Sequence, residues 1–256
     1  MTFVDWAGLA GATFAAALLQ AAGGFGFAVA AAPLYLIVVE PQRAVQLVVI
    51  LSTALCLAVL RRLWRAVAPL LFARLAVGSL AGLPIGLAAF RYADPRVVQL
   101  AVGAAILAFA FLYAVLRRRR RGLGRGLVAM TPLRDLAVGM VSGVATALAG
   151  ISGPPVVIYL LLAEAPPRIV RATLLAFFAL VYAATLAANA ATIGVPAQTW
   201  LAAAILIPFA VVGGLVGRPL GDRLGAGAFA ALAIGVLAAA GLYTIAAAAG
   251  LVGGRP

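Results

Sequence analysis

The chain has 256 residues, 66% of them hydrophobic and 10% charged, with a mean hydropathy of +1.18 and a net charge of +13. Soluble domains are about half apolar, so this composition excludes a water-soluble globule and indicates an all-α polytopic membrane protein. All 19 basic residues are arginines in short runs between apolar segments, a pattern that marks membrane topology and lipid-headgroup contact and argues against nucleic-acid binding.

The opening MTFVDW lacks the basic flank of a cleaved signal peptide, so the first apolar segment is expected to stay in the mature protein. Arginines, prolines and glycine clusters then delimit apolar segments at 7–39, 44–60, 66–90, 97–116, 136–163, 172–194, 199–217 and 226–252. Six of these suit a single crossing. As straight helices, 7–39 and 136–163 would be about 50 and about 42 Å long, beyond a hydrocarbon core of about 30 Å.

Those two segments also carry a break: QAAGGFGFAVAAAPLYL at 20–36 and ATALAGISGPPVVIYLLL at 145–162. GLPIG (82–86) pairs with GRPLG (217–221), and LY (112–113) with LY (242–243). The chain therefore divides into a first membrane repeat (1–116), an arginine-rich cytoplasmic linker (117–134, containing RRRRRGLGR) and a second repeat (135–256). Each half is expected to hold four segments and to begin with a broken one. If the broken segments cross the membrane, the halves are parallel and 11 arginines face the cytoplasm against seven outside. If they re-enter as hairpins, the halves are inverted and the count is 14 against four. The positive-inside rule favours the inverted arrangement.

In hydrocarbon, each unsatisfied backbone group costs several kcal/mol, so non-helical backbone must be buried in protein or line a wet cavity. Pro154 and Pro155 suit the first turn of a new helix over about 154–163, with Ser152 as N-cap and Gly150 and Gly153 permitting the bend. The positive helix end would then face the interior and favour an anion. Gly23, Gly24 and Gly26 would let a ligand approach the backbone in the other half. Two breaks at matching places point to one central anion site, although kinking or close helix packing is the simpler role for either break alone.

GISGPPVVIYLLL (150–162), followed by PPRIVRATLLAFFAL (166–180), resembles the second-half signature of the TauE/SafE family of sulfite and organosulfonate exporters. GGFGFAVAAAPLYL, then EPQRA, is similar to the first-half signature, with fewer glycines than many members carry. The resemblance covers nearly the whole chain and implies an inner-membrane carrier for small sulfur-containing anions. It leaves the particular anion and the oligomeric state, a homo-oligomer included, open.

Among polar residues inside apolar segments, Gln20 precedes the first break, and Asn189 could donate to an oxyanion or bond a neighbouring helix. Arg43, Arg168 and Arg171 follow the broken segments and could attract anions, with headgroup contact the plainer role. Arg74 is placed to snorkel to the cytoplasmic surface. The six carboxylates all fall at or near segment ends, which argues against a proton relay and for facilitated anion flow. Glu40 and Glu164 are the candidates if protons are coupled.

Cys56 is the only cysteine and histidine is absent, so an internal disulfide, Cys/His metal sites and histidine catalysis are excluded. No cofactor is implied. The expected partners are a small anionic substrate and membrane lipid. The rival readings are a non-transporting accessory membrane subunit and, with no catalytic constellation at depth, an intramembrane enzyme.

Overall fold

The computed structural model describes residues 3–23, 26–36, 38–61, 63–92, most positions between 94 and 115, 129–163 and 167–249. The described elements are helical: α1 (Phe3–Gly23), α2 (Phe27–Tyr35), α3 (Pro41–Leu60), a 3-10 turn (Trp64–Ala66), α4 (Pro69–Tyr92), α5 (Pro132–Ala149), α6 (Gly153–Leu162), α7 (Pro167–Thr192) and α8 (Ala197–Ala248). The described positions between 96 and 115 are helical as well. Prolines open α3, α4, α5 and α7, where the missing N–H would have had no intrahelical acceptor. Thr131 caps α5, its hydroxyl accepting from Arg134 N at 3.4 Å. Among the described residues, five helices are long and apolar enough to cross a membrane: Phe3–Ala21, Gln42–Leu60, Pro69–Ala89, Ile169–Thr192 and Ala197–Gly217.

Both broken segments double back. Thr13 Oγ1 and the Tyr35 hydroxyl lie 2.6 Å apart, yet Thr13 stands about 15 Å before the end of α1. Only an α2 that returns along α1 can bring Tyr35 there. The Tyr159 hydroxyl likewise donates to Asp135 Oδ1, about 21 Å before the end of α5, so α6 returns along α5. These are helical hairpins, and the straight-crossing alternative does not describe them.

α3 and α7 form the centre and run antiparallel. Gln46 Nε2, near the start of α3, donates to Gly194 O just past the end of α7 at 2.9 Å. Ala68 N, after α3, donates to Thr173 Oγ1 near the start of α7 at 3.1 Å. Two parallel helix pairs flank this core. α4 lies against α5 so closely that a Cβ on Gly78, Gly82 or Gly86 would overlap the carbonyl of Leu136, Met140 or Val144. From the other side, Gly139 and Gly143 meet Leu75 and Ser79 in the same way. α1 packs on α8 through Gly213 and Gly217 against Phe14 and Leu18. Without a hydrophobic driving force in lipid, helix association depends on such close backbone approach. The outer faces stay apolar, with Val77 and Ile85 on α4, Leu133 and Val141 on α5, and Leu201 and Leu215 on α8 exposed, as contact with lipid tails requires.

One expectation is corrected. Segments 199–217 and 226–252 are not separate helices: α8 continues through GRPLG as a single helix of 52 residues. Pro208 and Pro219 each remove one backbone donor, and membrane helices tolerate this where neighbours or local adjustment re-satisfy the carbonyl. A straight rod of that length would reach about 78 Å; among the described residues its first part, Ala197–Gly217, is long and apolar enough for a span. The side chains of 218–234, including the Arg218–Asp222 pair, lie outside the described residues, as does the linker over 117–128.

The backbone contact between α4 and α5 has a measurable consequence. Gly82→Ala should lower the unfolding free energy in detergent by about 1–3 kcal/mol through overpacking. Gly8→Ala, where an added Cβ meets nothing within 4 Å, should be neutral. Equal thermal stability of the two variants would contradict the close packing.

Candidate functional site

At the first hairpin tip, α1 ends at Gly23 and the chain re-enters helix after Gly26, whose φ of 116° lies in the left-handed region that favours glycine. Gly26 has no side chain with which to cap α2, and Gln20 takes over. Its Oε1 accepts from Phe27 N at 3.2 Å, while its Nε2 donates to Cys56 Sγ on α3 at 3.6 Å. The next two amides of α2, those of Ala28 and Val29, have no intrahelical acceptor. On the outgoing side, Arg171 reaches across from α7 and its Nη2 donates to Ala21 O at 3.0 Å. A guanidinium at the carbonyl end of α1 satisfies an orphan acceptor and opposes the negative pole of the helix.

At the second tip, Gly150 ends α5 in the left-handed conformation, φ 67°, with its N–H on Thr146 O at 2.8 Å. Ile151 and Ser152 form the turn and α6 starts at Gly153. Ser142 Oγ donates to Ser152 O, anchoring the turn to α5. Ser152 occupies the N-cap position, but its hydroxyl caps nothing. A cap bonds the N–H of the second or third helical residue, and here those residues are Pro154 and Pro155, which have none. This corrects the expected N-cap role. It also reduces the free amides that α6 offers, essentially to Gly153 N–H, and it leaves the Ser152 hydroxyl fully buried without a hydrogen-bond partner among the described residues.

α3 and α7 stand between the tips. Gly150 lies against Val45 and Val48 of α3, and Gly153 against the Phe178 ring of α7, at 3.4–3.6 Å from an added Cβ. Tyr182 of α7 is buried in the same region and neighbours Ser152 and Ser52. Gln20, Cys56, Ser52, Tyr182 and Ser152 are all buried, and Gln20 and Cys56 are bonded to each other. Ser52 Oγ and both amide atoms of Asn189 are also fully buried without a protein partner among the described residues. Such groups cost about 1–3 kcal/mol each when left unmade. They are groups equipped to bind a polar solute.

Of the residues singled out by sequence, Gln20, Gly26, Gly150, Ser152 and Gly153 line the two tips. Gly23 closes α1. Gly24 and the side chains of Pro154 and Arg168 lie outside the described residues. Asn189 sits in the last turn of α7, its backbone carbonyl accepting from Ile193 and Gly194 N–H at 3.0 and 2.9 Å. Arg43 is half-buried in the first turn of α3. Arg171 belongs to the first tip and not to the lipid surface. Arg74 does not simply snorkel: its Nη1 pairs with Asp135 Oδ2 at 3.3 Å. Asp135, expected as an ordinary segment-end carboxylate, is 1% exposed and also bound by Tyr159. Sequence reasoning missed that cluster and the Thr13–Tyr35 tie, although re-entry already implied that the end of each return helix must lie beside its outgoing helix.

A multi-pass helical membrane protein with two helical hairpins whose tips meet a central helix pair is the class these features define. The family model described as sulfite exporter TauE/SafE matches residues 9–244, and the chain belongs to that family of membrane transporters. The resemblance seen at both broken segments is thus borne out. No curated protein and no solved structure matches.

Because both amide atoms of Asn189 lack a partner among the described residues, Asn189→Leu should raise the unfolding free energy by about 1–3 kcal/mol, read by denaturation in detergent. A loss of stability would mean that Asn189 serves as a structural helix-to-helix link.

Proposed function

We propose that this protein carries a small sulfur-containing anion, sulfite or an organosulfonate, out of the cell across the inner membrane, binding it between the two hairpin tips. The observation that carries the reading is the buried Ser152 hydroxyl at the second tip, which has no hydrogen-bond partner among the described residues, set opposite a first tip where Gln20 holds Cys56 and the start of α2. A sulfonate or sulfite oxygen accepts what these tips donate: a serine hydroxyl, the Ala28 and Val29 amides of α2 and Gly153 N–H. Asn189 adds an amide donor, and Gly23, Gly24, Gly150 and Pro154 shape the approach. Arg171 places positive charge beside the first tip, with Arg43 and Arg168 contributing to the potential that draws anions in.

The halves 1–116 and 135–256, joined by the linker 117–134, act as inverted copies. Supporting this, α3 and α7, which correspond, run antiparallel. The first helix of each half also packs in parallel on the third segment of the other, α1 on the 199–217 part of α8 and α5 on α4. A two-fold axis in the membrane plane generates both relations. Alternating access then exposes the tips to one face at a time, and a negative-inside potential drives an anion outward by about 2.3 kcal/mol per charge per 100 mV. The protein is a carrier and not an enzyme.

Uptake of labelled sulfite and of a labelled organosulfonate into inverted vesicles tests this directly. Wild type should accumulate at least one of them, and Ser152→Leu should reduce the rate by about tenfold or more, the size of one lost anion contact. Absence of flux for every sulfur oxyanion would leave a non-transporting subunit as the reading.

A further inference from the structure

We infer that Tyr159, Asp135 and Arg74 are positioning residues for the second hairpin tip, holding α6 at the depth and rotation that present Ser152 and Gly153. This rests on the reading of that tip as part of the substrate site. Asp135 is buried, accepts from the Tyr159 hydroxyl through Oδ1 and from Arg74 Nη1 through Oδ2, the latter at 3.3 Å. Its two guanidinium and phenol donors come from different helices, α4 and α6. Asp135 is thereby the junction between a fixed scaffold and a short return helix.

The scaffold side is fixed by backbone packing. Leu75 and Leu136, the immediate neighbours of Arg74 and Asp135, are the residues whose carbonyls meet Gly139 and Gly78. α4 and α5 cannot slide there without a carbonyl leaving its glycine. The other side is light: α6 has 10 residues, with Tyr159 near its far end and the tip at the other. Those two points are about 10 Å apart along one rigid helix, so a turn or slide permitted at Tyr159 is delivered to Ser152. The first hairpin is also fastened toward the end of its return helix, by Tyr35 on Thr13. That tie is neutral, whereas the second is charge-assisted and hence shorter and stronger.

None of the three residues is at the tip, so their loss should alter how well the anion is held more than how fast the loaded carrier turns. Tyr159→Phe keeps the ring and removes only the hydroxyl. In the full-length reconstituted protein it should raise KM about tenfold, the effect of one lost charge-assisted hydrogen bond, with the maximal rate within about twofold. Amide hydrogen exchange across 156–162 should accelerate, by about tenfold on the same basis, while α3 is unchanged. Asp135→Asn, which keeps an acceptor but loses the charge, should fall between wild type and Tyr159→Phe. Unchanged KM with unchanged exchange would overturn the inference, and so would faster exchange with unchanged KM, since the tie would then be only structural. If wild type moves no sulfur anion, the transport reading fails by itself, and the exchange difference still decides whether Tyr159 holds α6 in place.

Discussion

Backbone that leaves the helix inside a bilayer must find its hydrogen-bond partners within the protein, because lipid offers none. The rest of this structure follows from meeting that demand twice. At the first tip a glutamine side chain caps the returning helix and an arginine from another helix closes the outgoing one. At the second, prolines delete two of the amides that would have needed partners, and a serine on the outgoing helix fixes the turn. The first solution draws on α7 through Arg171, and the second tip packs its glycines on Val45 and Val48 of α3 and Phe178 of α7, so both tips sit against those helices.

That dependence explains the layered arrangement. α3 and α7 carry the bulk of the buried large side chains, with Leu47, Leu51, Leu175 and Phe177 almost fully enclosed. Around them, the glycine-lined α4–α5 and α1–α8 pairs act as stiff walls whose outer faces meet lipid. Between these walls and the polar centre, the short return helices α2 and α6 are the elements free of such glycine-lined backbone packing among the described residues. Alternating access needs that kind of arrangement: two rigid bodies and a short element between them, with binding groups on the short element.

Much of this was legible in the sequence. The breaks at GGFG and GISGPP showed because a 33-residue and a 28-residue apolar run (7–39 and 136–163) cannot cross straight, and the arginine distribution favoured re-entry over crossing. The family resemblance lay in the same residues. What stayed hidden was tertiary. Nothing local to Arg171 says that it reaches Ala21, 150 residues earlier in the chain, and nothing local to Arg74 says that it finds Asp135. The capping failure of Ser152 was in principle readable, since a serine followed by Gly-Pro-Pro has no second or third amide to bond. The continuity of α8 was misread because glycine and proline at 217–221 signal a turn, whereas the backbone there stays helical from Ala197 to Ala248.

The consequence for function is that the two tips are unlike. The first offers helix amides, a glutamine already engaged and a nearby guanidinium; the second offers a free hydroxyl and little else. An oxyanion bridging them would be gripped by charge on one side and by directional hydrogen bonds on the other. A density map of the protein saturated with an iodine-bearing aromatic sulfonate is the most direct check. The account predicts the sulfonate group between Ser152 and the start of α2. Bound sulfonate elsewhere in the molecule, with both tips closed by protein contacts alone, would contradict it.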